Sequence, residues 1–326
     1  MKKTVKLAIL GAGRWGTHLI RNFFTHAQSE VVAIADPDPA RLEACREKFQ
    51  LGATVSLVSD WRKLQKISDL DAVVVVTPAS THLEIIEAAL NWGCHILAEK
   101  PLTLEASTCE HLAQLAQSRE RILMVDHTYL FHPAVEVAKS AIAAGKLGDI
   151  QYGYATRTNL GPVRQDVDAL WDLAIHDIAI FNYWLDATPT RVEAQSKMWL
   201  QPESADWVQG TMFYPNDIPV KTHWCWANPD KQRRLGLVGS EGTLIFDELA
   251  SSPVVIQQGH FIKSGEKYLP ENLETIPLAV PPAEPLAQMC AYFLDCVLSG
   301  RQPERSDAQV GKALVQILAH FTEALN

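Results

Sequence analysis

Short apolar runs alternate with helical patterns along the first 125 residues. The apolar runs predict strands over 4–10, 31–35, 71–76, 95–98 and 122–125. Apolar residues at helical spacing predict helices over 14–24, 40–49, 81–91 and 104–117. The run at 71–76 is nearly all valine, which is typical of a strand buried on both faces. This alternation predicts an α/β domain, a doubly wound parallel sheet with helices on both faces.

The pattern changes after residue 126, where strands follow one another without intervening helices. Strands are predicted over 150–158, 191–200, 208–214, 219–227, 234–239 and 243–246. Helices are predicted over 133–144, 169–185, 286–299 and 306–325. Consecutive strands favour an antiparallel sheet. We therefore predict two domains, residues 1–125 and 126–326, the second an α/β domain built on a large, mostly antiparallel sheet.

Composition narrows the class of protein. The chain has 326 residues, 47% hydrophobic and 21% charged, which is ordinary for a globular protein of about two domains. Its net charge of −9 argues against nucleic acid or an anionic membrane as partner. No uninterrupted apolar stretch is long enough to span a bilayer. The six cysteines are scattered without a Cys-x-x-Cys pair, which favours reduced thiols in a cytoplasmic protein.

A glycine motif follows the first predicted strand. The segment Gly11-Ala12-Gly13-Arg14-Trp15-Gly16 has the pattern G-x-G-x-x-G between a strand and a helix. Gly11 allows a tight turn, Gly13 a close approach to a pyrophosphate, and Gly16 close packing of helix on sheet. The helix N-terminus then faces the phosphates. We predict a dinucleotide site here, with Arg14 and Trp15 among its residues.

Asp36 ends the second predicted strand, 20 residues after Gly16. A carboxylate at this place binds the ribose hydroxyls of an adenosine. It also repels a 2′-phosphate, by about 4 kcal/mol per charge pair at 4 Å in an effective dielectric of 20. NAD is therefore the expected cofactor and NADP the less favoured one. Arg41 could reach a 2′-phosphate, although a solvated helix surface is the simpler interpretation of this residue.

Glu99-Lys100-Pro101 follows the strand predicted over 95–98. Ligands of open parallel sheets bind beyond the carboxyl ends of strands, where Glu99 and Lys100 would meet a nicotinamide. Lysine can take a hydroxyl proton if burial and a nearby positive charge lower its pKa. An exposed ion pair between Glu99 and Lys100 is an equally good interpretation from position alone.

Asp172 and His176 lie four residues apart on a predicted helix and so share one face. An Asp–His pair suits proton handling and the binding of a substrate hydroxyl. The alternative, that the two side chains only form a local pair on the helix without a functional role, remains open. No further ligand stands at a suitable spacing, so we predict no metal site.

These motifs, with Thr77-Pro78 and His82 between them, occur in an order that resembles the Gfo/Idh/MocA family, named for glucose-fructose oxidoreductase and inositol dehydrogenase. The resemblance covers essentially the whole chain, including Gly145-Lys146-Leu147-Gly148-Asp149-Ile150. It implies a Rossmann domain followed by a large-sheet domain. It also implies transfer of a hydride between NAD or NADP and a sugar, cyclitol or sugar derivative, among which a nucleotide sugar is one possibility.

The resemblance also implies roles for single residues. Lys100 would be the central catalytic lysine, Asp172 would hold substrate hydroxyls, and His176 would donate or accept a proton. Thr77, Pro78 and His82 would lie along the cofactor.

Further candidates for substrate binding are His127, Arg157, Asn159 and Arg164. His127 follows the last Rossmann strand, where the family places active-site groups, although a structural hydrogen-bonding histidine is the simpler interpretation. Arginine binds carboxylate or phosphate through two parallel hydrogen bonds, so Arg157 and Arg164 could bind an anionic substrate.

Two expectations concern assembly and class. Large apolar side chains on the second sheet favour an interface, among them Trp199, Trp207, Phe213, Tyr214, Trp224 and Trp226. The alternative is that these aromatic residues all belong to the inner core. The family pairs subunits through this sheet, so we expect a homodimer or homotetramer. A NAD-assisted hydrolase or lyase and a non-enzymatic nucleotide sensor are the alternatives. The set of Lys100, Asp172 and His176 argues against the sensor, which needs no proton-transfer residues.

Overall fold

The computed structural model describes residues 4–325, which divide into two compact units. The first unit runs up to Thr128 and includes Glu284–Val315. The second comprises Tyr129–Ala283 and continues from Gln316. The sequence placed everything after residue 125 in one domain, whereas the chain returns to the first unit at Glu284.

A six-stranded sheet forms the centre of the first unit. Its strands are β1 (Val5–Leu10), β2 (Ser29–Ala35), β3 (Ser56–Val58), β4 (Ala72–Val75), β5 (His95–Glu99) and β6 (Leu123–Asp126). They pair in the order β3-β2-β1-β4-β5-β6, and every pairing is parallel. This is the strand order of a dinucleotide-binding sheet, so the predicted doubly wound fold is confirmed.

Four helices connect these strands. They are α1 (Arg14–Thr25), α2 (Pro39–Phe49), α3 (His82–Asn91) and α4 (Ala106–Ser118). The start of α2 shows how the local sequence sets a boundary: the Asp38 carboxylate accepts the N–H of Ala40, and Pro39 occupies the first turn. The valines of β4 are fully buried, as the sequence predicts for a strand covered on both faces.

An eight-stranded sheet forms the second unit. Its strands are β7 (Ile150–Leu160), β8 (Arg191–Lys197), β9 (Trp207–Tyr214), β10 (Ile218–Cys225), β11 (Ala227–Gly239), β12 (Gly242–Asp247), β13 (Val254–Ser264) and β14 (Lys267–Pro277). They pair in the order β14-β13-β12-β11-β7-β10-β9-β8, and only β7 and β10 are parallel among these described strands. The prediction of a large, mostly antiparallel sheet is confirmed.

Three strands escaped the sequence analysis. β3 has only three residues, too few for a periodic pattern. β14 is exposed along almost its whole length, so it lacks the alternation of apolar and polar residues that marks a half-buried strand. β13 has no buried residue after Ile256, so its second half lacks this alternation as well.

Two helices pack within the second unit, α5 (Pro133–Ala143) and α6 (Ile175–Leu185). A short π-helical turn, Leu170–Ala174, leads into α6. In the same unit Trp224 and Trp226 are fully buried. The sequence predicted one regular helix over 169–185, and the π turn is the difference.

Two further helices end the chain, α7 (Pro285–Ser299) and α8 (Ala308–Leu325). Phe293 of α7 packs edge-on against Phe23 of α1, with ring centroids 6.4 Å apart. Ser306 exchanges backbone and hydroxyl hydrogen bonds with Val125 at 2.9 and 2.7 Å. These contacts explain why residues 284–315 belong to the first unit. Within residues 4–325, none of the helices combines the length and apolar character needed to cross a bilayer.

Candidate active site

The β1–α1 loop leaves space where a pyrophosphate would need it. Gly11 has φ +105°, and a Cβ there would lie 2.5 Å from the Val76 carbonyl oxygen. A Cβ on Gly16 would lie 1.9 Å from the Gly11 carbonyl oxygen. A Cβ on Gly13 would meet nothing among the described residues closer than an Arg41 nitrogen at 3.9 Å. Gly11 and Gly16 are therefore required by the fold, whereas Gly13 keeps an approach to the backbone open.

The start of α1 has the features of an anion-binding helix end. Gly13 precedes the helix, and within the described residues no side chain caps it. Because the first four N–H groups of a helix have no intrahelical acceptor, this end favours an anion. Arg14 and Trp15 are exposed at this turn, as expected for residues next to a ligand site.

Asp36 stands at the end of β2 and holds the glycine loop. Its Oδ2 accepts the Ala12 N–H at 2.8 Å, and its Oδ1 accepts the Asp38 N–H at 2.9 Å. The side chain is 3% exposed. Arg41 Nη1 lies 3.8 Å from Asp36 Oδ2 and reduces the negative charge there. Asp36 thus supports the loop in addition to the ribose contact that the sequence predicts.

His82 is a buried support in the loop after β4. Its ring nitrogens lie 3.0 Å from the Leu102 carbonyl oxygen and 2.9 Å from the Thr77 carbonyl oxygen. The Thr81 hydroxyl donates to the Thr77 hydroxyl at 2.7 Å. His82 therefore holds the Thr77-Pro78 segment in place instead of presenting its own ring to a ligand.

Lys100 follows β5 at the carboxyl edge of the parallel sheet. The Lys100–Pro101 peptide bond is cis, and the Lys100 N–H donates to Glu99 Oε2 at 2.9 Å. Glu99 is paired in register with Asp126 at the end of β6. Burial and the charge of Asp126 raise the pKa of Glu99 well above its usual range. The carboxyl groups of Glu99 and Asp126 therefore lie near Lys100.

Asp126 connects β6 to the glycine motif. Trp15 Nε1 donates to Asp126 Oδ2 at 3.4 Å, and the Thr128 hydroxyl donates to the other carboxylate oxygen. Burial raises the pKa of Asp126 as well. The sequence analysis singled out the neighbouring His127 and gave no separate role to Asp126, although Asp126 also stands at the end of a parallel strand, where functional groups collect.

His127 is 2% exposed, and within residues 4–325 neither ring nitrogen has a hydrogen-bond partner. Burial and the positive charge of Lys100 lower its pKa to about 3. Buried polar atoms in native proteins almost always have partners. The structural hydrogen-bonding interpretation therefore does not describe this histidine, and a ligand could use both nitrogens.

Asp172 and His176 lie in the second unit, on the π turn and on α6 respectively. Asp172 Oδ1 accepts Arg164 Nη1 at 3.2 Å. The His176 ring packs against Tyr129, with centroids 5.0 Å apart. π-Helical turns occur frequently at functional sites, because they change the direction of side chains locally.

Arg157 belongs to a buried network. Its Nε and Nη2 donate to Asp177 Oδ1 at 2.8 and 2.6 Å, and its Nη1 donates to the Tyr129 hydroxyl at 3.0 Å. Arg157 is 2% exposed. The sequence proposed Arg157 for binding an anion, whereas the structure commits its guanidinium to Asp177 and Tyr129.

Asn159 and Arg164 also have partners in the second unit. Asn159 Oδ1 accepts Arg233 Nη2 at 2.5 Å. Arg164 donates to both carboxylate oxygens of Asp166 at 2.9 and 2.6 Å, besides its bond to Asp172. The charge of Arg164 is therefore matched by two carboxylates. In the described part of the chain, no group of three His, Cys, Asp or Glu side chains is arranged to hold a metal ion.

Comparisons with known proteins show the family to which the chain belongs. Residues 5–127 match the model described as oxidoreductase family, NAD-binding Rossmann fold, and residues 135–245 match the GFO/IDH/MocA C-terminal domain. The chain belongs to the GFO/IDH/MocA family of oxidoreductases. The resemblance expected from the sequence is thereby confirmed.

Members of this family similar to the chain act on different sugars and cyclitols. The chain is 32% identical over 268 residues to dTDP-3,4-didehydro-2,6-dideoxy-alpha-D-glucose 3-reductase of Saccharopolyspora spinosa, covering 78% of this chain and 77% of that protein. It is 29% identical over 210 residues to inositol 2-dehydrogenase of Rhizobium meliloti (strain 1021). That match spans 62% of each chain, which is less than two thirds of the length of the inositol dehydrogenase.

A solved member of the GFO/IDH/MocA family has the same fold. UDP-N-acetylglucosamine 3-dehydrogenase from Acidithiobacillus ferrooxidans superimposes with a TM-score of 0.84 at 21% identity, covering 99% of this chain and 97% of that one. At this identity the likeness shows the fold alone.

Proposed function

We propose that the protein is an NAD-dependent dehydrogenase that oxidises a secondary hydroxyl of a sugar or cyclitol ring, or reduces the corresponding ketone. The observation that carries the proposal is the combination of an open glycine loop with Lys100. Both lie at the carboxyl edge of one parallel sheet, which is where ligands of such sheets bind.

The residues of the first unit fit a dinucleotide. Gly13 leaves the backbone accessible, and the uncapped start of α1 favours a pyrophosphate. A bound nicotinamide supplies the hydride acceptor or donor of the reaction. Asp36 supports a preference for NAD, because its carboxylate disfavours a 2′-phosphate, although Arg41 at 3.8 Å weakens this effect.

Oxidation of a hydroxyl also releases a proton, which the protein must accept. We assign this proton to Lys100 and His176, the two bases that the family resemblance selects, and leave its division between them open. Asp172, held by Arg164, would accept hydrogen bonds from substrate hydroxyls. In the reverse direction the same groups return the proton to the carbonyl oxygen.

We further propose that the reacting ring is uncharged. Arg157 and Arg164 were the candidates for an anionic group, and both pair with carboxylates of the second unit. A polyol ring needs hydrogen-bond acceptors and donors instead. Asp172 offers acceptors, and the neutral ring of His127, which has no hydrogen-bond partner among residues 4–325, offers one donor and one acceptor.

A cofactor titration followed by a substrate panel tests the function. Quenching of tryptophan fluorescence should show tighter binding of NADH than of NADPH, and Asp36→Ser should reduce the difference. The panel then contains myo-inositol, scyllo-inositol, glucose and UDP-N-acetylglucosamine with NAD. Formation of NADH in proportion to the ketone product supports a dehydrogenase.

Two results would contradict the proposal. Conversion of a sugar without net NADH would indicate hydrolysis or elimination that uses NAD transiently. Absence of binding of either nucleotide would remove the dehydrogenase assignment altogether.

We also propose that two copies of the chain pair through the solvent-facing side of the eight-stranded sheet. On this face the ring of Trp207 in β9 packs edge-on against the ring of His223 in β10, and both rings are partly exposed. Half-exposed aromatic rings on a sheet face are typical of interfaces. Sedimentation at micromolar concentration should give a dimer or tetramer, and Trp207→Lys should shift it towards the monomer. A monomeric wild-type protein would contradict this proposal.

A further inference from the structure

The imidazole of His176 packs against an aromatic ring supplied by another segment of the second unit. The ring centroids of Tyr129 and His176 are 5.0 Å apart, and the ring planes form an angle of 55°. Tyr129 stands in the short 3-10 helix Thr128–Phe131 before α5, whereas His176 is on α6. The orientation of Tyr129 therefore bears directly on that of His176.

The far end of the Tyr129 ring is held on both sides. Its hydroxyl accepts a hydrogen bond from Arg157 Nη1 at 3.0 Å and donates its single proton to Glu248 Oε2 at 2.6 Å. The guanidinium carbon of Arg157 also lies 4.6 Å from the Tyr129 ring centroid, a favourable cation–π distance. The ring cannot turn away without breaking these contacts.

The same network also includes Asp177 of α6, the residue that follows His176. Arg157 binds Asp177 Oδ1 through two nitrogens, at 2.8 and 2.6 Å. The other oxygen of Asp177 accepts Trp224 Nε1 at 2.8 Å. Arg157 and Asp177 are 2% and 0% exposed, so breaking this pair would leave a buried charge uncompensated. The network is consequently a rigid support.

We propose that Tyr129 is a positioning residue that fixes the imidazole of His176, and that Arg157 and Glu248 fix Tyr129. The inference rests on the proposed function to the extent that His176 acts there in proton transfer. Proton transfer requires heavy atoms within about 2.6–3.2 Å. A loosened imidazole therefore lowers kcat and leaves the KM values for substrate and NAD nearly unchanged.

The first test needs no substrate. NMR of the full chain labelled at histidine compares the His176 ring protons in the wild type, Tyr129→Leu and Tyr129→Phe. Leucine removes the ring, so the His176 signals should shift, while phenylalanine retains the ring and should cause a smaller change. Tyr152→Leu, at an exposed tyrosine of β7, is the matched control and should leave them in place. Unchanged His176 signals in Tyr129→Leu would overturn the proposal.

The second test is a double-mutant cycle on the substrate that the panel identifies. Tyr129→Leu should lower kcat by about 10- to 100-fold, the range expected when a catalytic group is misplaced. Glu248→Gln retains a hydrogen-bond acceptor and should lose less. In a His176→Asn background, Tyr129→Leu should change kcat by less than about twofold, because the two residues act as one unit.

The outcomes of the cycle separate the inference from the proposed function. An equal loss of kcat from Tyr129→Leu with and without His176 would indicate general structural damage and overturn the positioning role. If His176→Asn alone left kcat unchanged, the role of His176 in the proposed function would fail, and the inference with it.

Discussion

His127 shows how burial alone can set the charge of a single residue. The ring is enclosed and lacks partners within the described residues, so protonation would place an unsolvated charge near Lys100. Its pKa of about 3 keeps it neutral at every pH at which the protein is expected to work.

Replacing His127 by Gln should make the protein less sensitive to acid. In the unfolded chain a histidine gains its proton below a pKa of about 6.5, whereas in the folded protein it does so only near 3. The folded state is therefore penalised as the pH falls below 6.5, by about 2 kcal/mol at pH 5. Denaturant unfolding at pH 7.5 and pH 5 should show a smaller loss for His127→Gln than for the wild type.

The exposed His320 provides the control for this experiment. His320→Gln should retain the wild-type difference between the two pH values. An undiminished loss of stability in His127→Gln would show that other groups cause the acid sensitivity.

Lys100→Ala tests the proton-transfer role at the level of one side chain. Removal of a general acid or base costs about 10²–10⁴-fold in kcat. Binding of NADH should persist, because the glycine loop and Asp36 are intact. Lys146→Ala, at an exposed lysine after α5, should have normal kcat. Normal turnover in Lys100→Ala would remove Lys100 from the mechanism.

At the scale of elements, the β1–α1 turn contains glycines at positions 13 and 16 for two different reasons. Gly16 lets the helix lie against the loop, since a Cβ there would stand 1.9 Å from a carbonyl oxygen. Gly13 has φ −72°, which any residue adopts, and meets no described protein atom within 3.9 Å. Folding therefore requires glycine at position 16, whereas at position 13 only the ligand approach that we propose requires it.

Alanine at these two positions should therefore have different consequences. Gly13→Ala should unfold at the wild-type denaturant concentration and bind NADH about tenfold more weakly, since the methyl group blocks the pyrophosphate. Gly16→Ala should lower the free energy of unfolding by about 1–3 kcal/mol through overpacking. Fluorescence titration and urea unfolding measure the two effects. Unchanged NADH affinity in Gly13→Ala would contradict the proposed site.

At the scale of the whole molecule, the chain divides into two compact units, which we expect to have separate cores. The first contains the nucleotide loop, and the second contains the buried pair of Arg157 and Asp177. Damage to the second core should thus affect stability without changing the binding site of the first.

Asp177→Asn tests this separation. Loss of one partner of a buried ion pair costs about 3–5 kcal/mol, because the remaining charge is unpaired. Urea unfolding should reveal this loss, while NADH affinity measured without urea should stay within about twofold of the wild type. A large loss of NADH affinity would show that the two cores are energetically coupled.

Local sequence was sufficient for most elements and for the dinucleotide motif. Hydrophobic periodicity and the glycines act over a few residues, so β1, α1 and the valine strand β4 followed directly from the chain. Because these signals depend on a periodic pattern over a few residues, they did not predict three strands. β3 is too short to show a period, and β13 and β14 have few buried positions that could mark one.

Only the tertiary structure decided which partners the charged residues have. Arg157 and Asp177 are 20 residues apart, and Tyr129 and Glu248 are 119 apart, so no local pattern connects them. The return of residues 284–315 to the first unit depends in the same way on packing of Phe293 against Phe23. The sequence by itself determined most of the elements and the kinds of chemistry they hold, because those depend on neighbours along the chain. Folding determined that Arg157 and Arg164 pair with carboxylates, because burial and pairing depend on neighbours in space.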